Sequence, residues 1–106
     1  MAADVDRSLG VYGISTAAAL VGTGVQNLRA YERHGLVEPG RTDGGTRRYS
    51  GNDLDRLRRI NALLGEGLNL AGIALVLQLE AANERLTAEL ARRSDDKRQA
   101  SDEHRR

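Results

Sequence analysis

The chain has no cysteine, no tryptophan and no phenylalanine, and only one proline and one methionine in 106 residues. Without cysteine there is no disulfide, no thiolate nucleophile and no cysteine-based zinc site. The two histidines, His34 and His104, stand too far apart in sequence to suggest a local pair, so no metal site and no cofactor are expected. No carboxylate pair is spaced for general acid–base work either, and no enzymatic activity is expected. Tyrosine is the sole aromatic, so any core rests on Leu, Ile, Val and Ala, which suits helix packing better than a β-sandwich. No apolar run approaches the ~18 residues of a spanning segment and "MAADVDRSLG" lacks a signal-peptide core, which predicts a cytoplasmic protein. The formal charge is only +1, so affinity for a polyanion has to come from where charge sits rather than from its sum.

What is present reads as one small, mainly α-helical domain with an appendage. Residues 1–11 are small, acidic and unpatterned and are expected to form a flexible tail, leading into an extended piece at Tyr12–Ile14. Ser15 is placed to cap a short helix over "TAAALVG", with Gly22 as its left-handed stop. Thr23 and Gln26 fit a capping box for a second helix, marked by Val25, Leu28 and Glu32 or Leu36 and ending near Gly35, where His34 would face the helix dipole as a C-terminal cation. Two short helices joined by "GTG" form a helix-turn-helix pattern that needs a third element to cover it.

Pro39 excludes helix from the next stretch, and "TDGGTRRY" places an Asp-Gly-Gly turn between two polar arms, which predicts a β-hairpin. Gly44 and Gly45 serve backbone geometry there; no strand, glycine loop and following lysine make them a phosphate cradle. Ser50 caps a third helix to about Leu64, with Leu54, Leu57, Ile60, Leu63 and Leu64 on its apolar side. Asn69 caps a fourth, with Leu68 stapled against Ile73. From Leu75 the pattern narrows to a stripe of Leu75, Leu79, Ala82, Leu86 and Leu90, close to a coiled-coil seam in need of a partner. Residues 94–106 carry mixed charge and no apolar side chain larger than Ala100, and a disordered tail is expected.

Arg29, Arg33, Arg41, Arg47 and Arg48 gather around the end of the second helix and the hairpin. A helix-turn-helix followed by an arginine-bearing hairpin can set its second helix in a major groove and lay the hairpin, as a wing, on phosphates or in the minor groove. Gln26 has two uses in this frame, base contact or capping. Tyr31 and Tyr49 likewise have two, phosphate contact or packing. Arg47 and Arg48 alternate along a strand, so one faces the duplex, and the pattern leaves open which.

The stretch "STAAALVGTGVQNLRAYERHGLVEPGRTDGGTRRYS", continued by "EGLNLAGIALVLQL", resembles the DNA-binding domain of the MerR family of bacterial transcription regulators, on Leu28, Arg29, Tyr31, Gly35, Leu36, Arg47, Arg48 and Tyr49. Within the family it is most similar to the heat-shock repressor (HspR) branch, in the "R-T-x-G-G-x-R-R-Y-S" wing and "EG-x-NLAGI". The resemblance implies a winged helix-turn-helix head over 12–79 and a dimerisation helix over 80–93 that pairs antiparallel through Leu75, Leu79, Ala82, Leu86 and Leu90. The DNA-binding set it implies is Ser15, Gln26, Asn27, Arg29, Tyr31, Arg33, Arg41, Thr42, Arg47, Arg48 and Tyr49. It further implies a homodimer on an inverted repeat in promoter DNA, at the nucleoid, acting as a stress-response repressor with a DnaK-type chaperone or RNA polymerase as a further partner. The chain ends soon after the dimerisation helix and carries no cysteine, so effector sensing is not expected. The alternatives are a MerR-type activator, an architectural or excisionase-like DNA binder, and a protein-interaction adaptor.

Overall fold

A computed structural model describes residues 6–104. In chain order the elements are β1 (Gly10–Tyr12), α1 (Ile14–Val21), α2 (Val25–Arg33), β2 (Gly40–Arg41), β3 (Arg47–Ser50), α3 (Gly51–Gly65) and α4 (Leu70–His104). Packing divides the chain into two units at Ala74–Leu75, inside α4.

The first unit is a helix-turn-helix closed by a third helix and a small sheet. Ala17 and Ala18 of α1, Leu28 and Tyr31 of α2, Tyr49 of β3, Leu54, Leu57, Ile60 and Leu63 of α3, and Ile73 at the start of α4 form its buried apolar core, joined by Leu36 and Val37 from the segment after α2. Aliphatic side chains supply most of the core, as the composition predicts, but Tyr31 and Tyr49 are buried with them, which the composition did not predict. One side-chain amide ties three helices together: Asn61 on α3 accepts from the Tyr31 hydroxyl at 3.0 Å through Oδ1 and donates to the Val21 carbonyl at 3.2 Å through Nδ2.

The helix starts divide into two kinds. Ser50 caps α3 in a full capping box, accepting from the Asp53 N–H at 3.0 Å while the Asp53 carboxylate accepts from the Ser50 N–H at 2.9 Å. Asn69 caps α4 by accepting from the Gly72 N–H at 2.8 Å. For α1 and α2, however, the extended residue before the helix is Gly13 and Gly24, and neither end has a side-chain cap. Ser15 therefore lies inside the first turn of α1 and not at its cap. The expected Thr23–Gln26 box is also absent: Thr23 Oγ1 instead accepts from the Asn27 amide at 2.8 Å. A cap needs the extended backbone position, and that position fell one or two residues away from the polar side chain in both cases.

The hairpin pairs Gly40 with Arg48 and Arg41 with Arg47. Its turn closes through Thr42 and Thr46, with Gly45 at φ 86°, where a side chain would be strained. A third strand joins it, giving the antiparallel order β1-β3-β2. This corrects two expectations: the extended piece is Gly10–Tyr12, not Tyr12–Ile14, and residues 7–11 are tied to the fold. The Arg7 carbonyl accepts from the Asn52 N–H at 3.0 Å and its guanidinium pairs with Asp55 at 2.6 Å. Asp6 accepts from the Ser8 N–H at 2.8 Å, and the remainder of the expected tail, residues 1–5, lies outside the described residues.

The second unit is α4 from Leu75 onward. The helix continues through 94–104, where a disordered tail was expected; between Gly72 and the end of the chain there is no glycine or proline to stop it. Arg93 pairs with Glu89 one turn back at 2.8 Å. The leucines of the stripe face outward, Leu75, Leu79, Leu86 and Leu90 being 58–69% exposed, with Ala82 half-buried between them. No helix among the described residues is long and apolar enough to cross a membrane.

Candidate nucleic-acid interface

Leu28 and Tyr31 anchor α2 to the core, and that anchoring decides which side chains face away from it. Gln26, Arg29 and Arg33, spaced three and four apart, share the opposite face and are exposed. Neither Arg29 nor Arg33 has an ion-pair partner among the described residues. Asn27 is exposed beside them, its amide held by Thr23, and Ser15 is exposed on the first turn of α1. The first turn of α2 thus offers an amide donor and acceptor, Gln26, followed by two unneutralised guanidinium groups, a set suited to base edges and phosphates.

The wing arginines are not equivalent. Arg47 and Arg41 both turn toward α2 and converge on Glu32: Arg47 Nε donates to Oε1 at 2.5 Å and Arg41 Nη2 to Oε2 at 2.8 Å. Hydrogen bonding from Arg47 holds the Glu32 carboxyl below its ordinary value, and the same bond raises Arg47 further. Arg48, on the other side of β3, lies half-buried toward the start of α1 and has no ion-pair partner among the described residues. Thr42 is engaged in the turn, its hydroxyl accepting from the Thr46 N–H at 3.1 Å.

Two of the residues expected at the DNA lie in the core. Tyr31 is 3% exposed with its hydroxyl on Asn61, and Tyr49 is fully buried. The Tyr49 hydroxyl is buried and the Tyr31 hydroxyl is engaged by Asn61, so both side chains pack in the core, and burial raises the pKa of each. Sequence reasoning also missed Glu32 and Asn61 as organising residues. Glu32 was visible only as a position in the helical pattern, and its partners lie 9 and 15 residues away. A polar residue on the apolar side of α3 was the available signal for Asn61.

Residues 12–80 match the family model described as the MerR HTH family regulatory protein. The chain belongs to the MerR family. Among MerR-related proteins, it is 52% identical over 71 residues to the heat shock protein HspR assigned in Streptomyces coelicolor, covering 66% of this chain and 47% of that protein. To the HTH-type transcriptional regulator GlnR of Bacillus anthracis it is 42% identical over 74 residues, 70% of this chain and 57% of the relative. The chain therefore spans about half the length of the curated relatives it matches. Among solved structures it is similar to HiNmlR, a MerR family regulator lacking the sensor domain and bound to promoter DNA, with a TM-score of 0.62 at 27% identity over 89% of this chain and 76% of that one. MtaN, the N-terminus of a Bacillus subtilis multidrug transporter activator, aligns with a TM-score of 0.60 at 26% identity over 87% of this chain and 95% of that one. The winged helix-turn-helix head with its long C-terminal helix is the MerR-family architecture, and the matched relatives are transcription regulators, not enzymes.

Proposed function

We propose that this chain is a sequence-specific, promoter-binding regulator that reads an inverted repeat as a homodimer. The observation that carries the reading is the exposed face of Gln26, Arg29 and Arg33 on α2, free of ion pairs among the described residues, in a MerR-family head whose relative HiNmlR was solved on promoter DNA. The exposed leucine stripe of α4 supports pairing of two copies. Similarity to HspR favours repression, with a DnaK-type chaperone as corepressor, over activation through RNA polymerase, and a cytoplasmic, nucleoid-associated location follows from that role.

Footprinting on the promoter regions of the source genome tests this directly. A bounded, two-fold symmetric site is expected, whereas protection that lengthens with protein concentration would favour an architectural binder. Arg29→Ala should cost about 1–3 kcal/mol of specific binding and relax preference at few positions. Equal loss on every sequence would move Arg29 to the phosphates, and no loss would remove it from the interface.

A further inference from the structure

The hairpin is too short to hold its own place. β2 has two residues and β3 four, and a two-stranded ribbon of that size is marginal in water. The pairing of β3 with β1 secures one strand, but β2 and the turn extend beyond it on the far side. What reaches them is the Glu32 side chain. One oxygen takes the bond from Arg47 on β3, the other takes the bond from Arg41 on β2, and Arg41 Nη1 donates onward to the Gly45 carbonyl at 2.9 Å. A single carboxylate on α2 therefore ties together both strands and, through Arg41, the turn. Glu32 keeps only 22% of its side-chain surface and Arg47 28%, so the pair is partly shielded from water and salt.

We propose that Glu32 is a positioning residue that clasps the wing to α2, so that both DNA-reading elements meet a duplex as one preorganised unit, and that Arg41 and Arg47 serve this clasp and not the phosphates. The inference rests on the DNA-binding reading above. It inverts what the sequence suggests, since a cluster of wing arginines reads first as a phosphate-binding cluster. The cations left for phosphates are then Arg29, Arg33 and Arg48. A clasp made before binding removes the ordering cost that a loose wing would incur on the duplex. It also keeps two cations from binding any duplex indiscriminately.

The test uses the full chain, an operator selected from a random duplex library, and a scrambled duplex of equal length, each titrated over a range of salt. Glu32→Gln should lower the ratio of operator to scrambled affinity by about tenfold, by loosening the wing. Its slope of log affinity against log salt should steepen by up to about 0.9 for each arginine released onto a phosphate. Arg47→Gln should lower the ratio similarly with the wild-type slope, and the double variant should lose little more than either single one, because the two side chains act together. A Glu32→Gln protein with the wild-type ratio, or an Arg47→Gln protein whose slope falls by about 0.9, overturns the proposal. Should Glu32→Gln fail to fold by circular dichroism, Arg47→Gln and Arg41→Gln decide on the same criteria. If the wild-type chain shows no salt-dependent affinity for either duplex, the DNA-binding reading falls and the clasp with it; if it binds and Glu32→Gln behaves as wild type, only the clasp falls.

Discussion

Two tyrosines of nearly equal burial make opposite predictions because one hydroxyl has a partner and the other has none. The Tyr31 hydroxyl donates to Asn61, whereas the Tyr49 hydroxyl is buried without a partner among the described residues. Removing one member of a buried hydrogen bond leaves the other unsatisfied, so Tyr31→Phe should destabilise the head by about 1–2 kcal/mol. Removing a hydroxyl that already lacks a bond has no such cost, and Tyr49→Phe should leave stability unchanged or raise it by up to about 1 kcal/mol. Urea titration of both variants measures the difference, and equal destabilisation would mean that the Tyr49 hydroxyl has a partner in solution. Both tyrosines hold the recognition surface from behind, so either variant should keep the wild-type salt slope on DNA.

Among the elements, the β1–β3 contact is the least forgiving. A Cβ on Gly10 would stand 2.8 Å from the Arg48 carbonyl oxygen and 2.9 Å from the Arg48 Cβ, so the two backbones meet only because Gly10 has no side chain. Gly10→Val should push β1 off the sheet at a cost of about 1–3 kcal/mol, read as a lower melting temperature. A variant as stable as wild type would show that β1 contributes nothing to the head. This strand also marks where sequence reading stopped. Signals carried within a few residues were legible: the stop at Gly22, the caps at Ser50 and Asn69, the Asp-Gly-Gly turn and the aliphatic face of α3. Pairing between Gly10 and Ser50 spans forty positions and involves a three-residue strand too short to show alternation. The clasp on Glu32 was equally hidden, because an arginine cluster looks the same whether it faces phosphates or a carboxylate. At Thr23 the error lay elsewhere: the residue types matched a capping box, but Gly24 took the extended cap geometry. The two buried tyrosines were legible only as a choice between packing and contact, since burial depends on neighbours thirty residues away such as Asn61.

For the whole molecule, the decisive prediction concerns assembly. Leu86 lies mid-stripe and is 58% exposed, so Leu86→Asp places a carboxylate in the proposed seam without disturbing any buried residue of the first unit. The head should fold as before while light scattering at micromolar concentration reports a monomer. Operator affinity should fall by about 100-fold or more, because two linked heads become two independent ones, with weak half-site binding retained. A dimer that survives the change, or a monomer with full operator affinity, would remove α4 as the coupling element. The length of α4 adds a consequence in the timing of amide exchange. A helix whose outward face has no cover opens locally at small free-energy cost, whereas one packed against a second copy opens only as the assembly does. Amides across residues 75–90 should therefore exchange deuterium more slowly as protein concentration rises, and those across 94–101, where every side chain is exposed, should not change. Along one uninterrupted helix, the point at which exchange stops responding to concentration would mark where contact between the two copies ends.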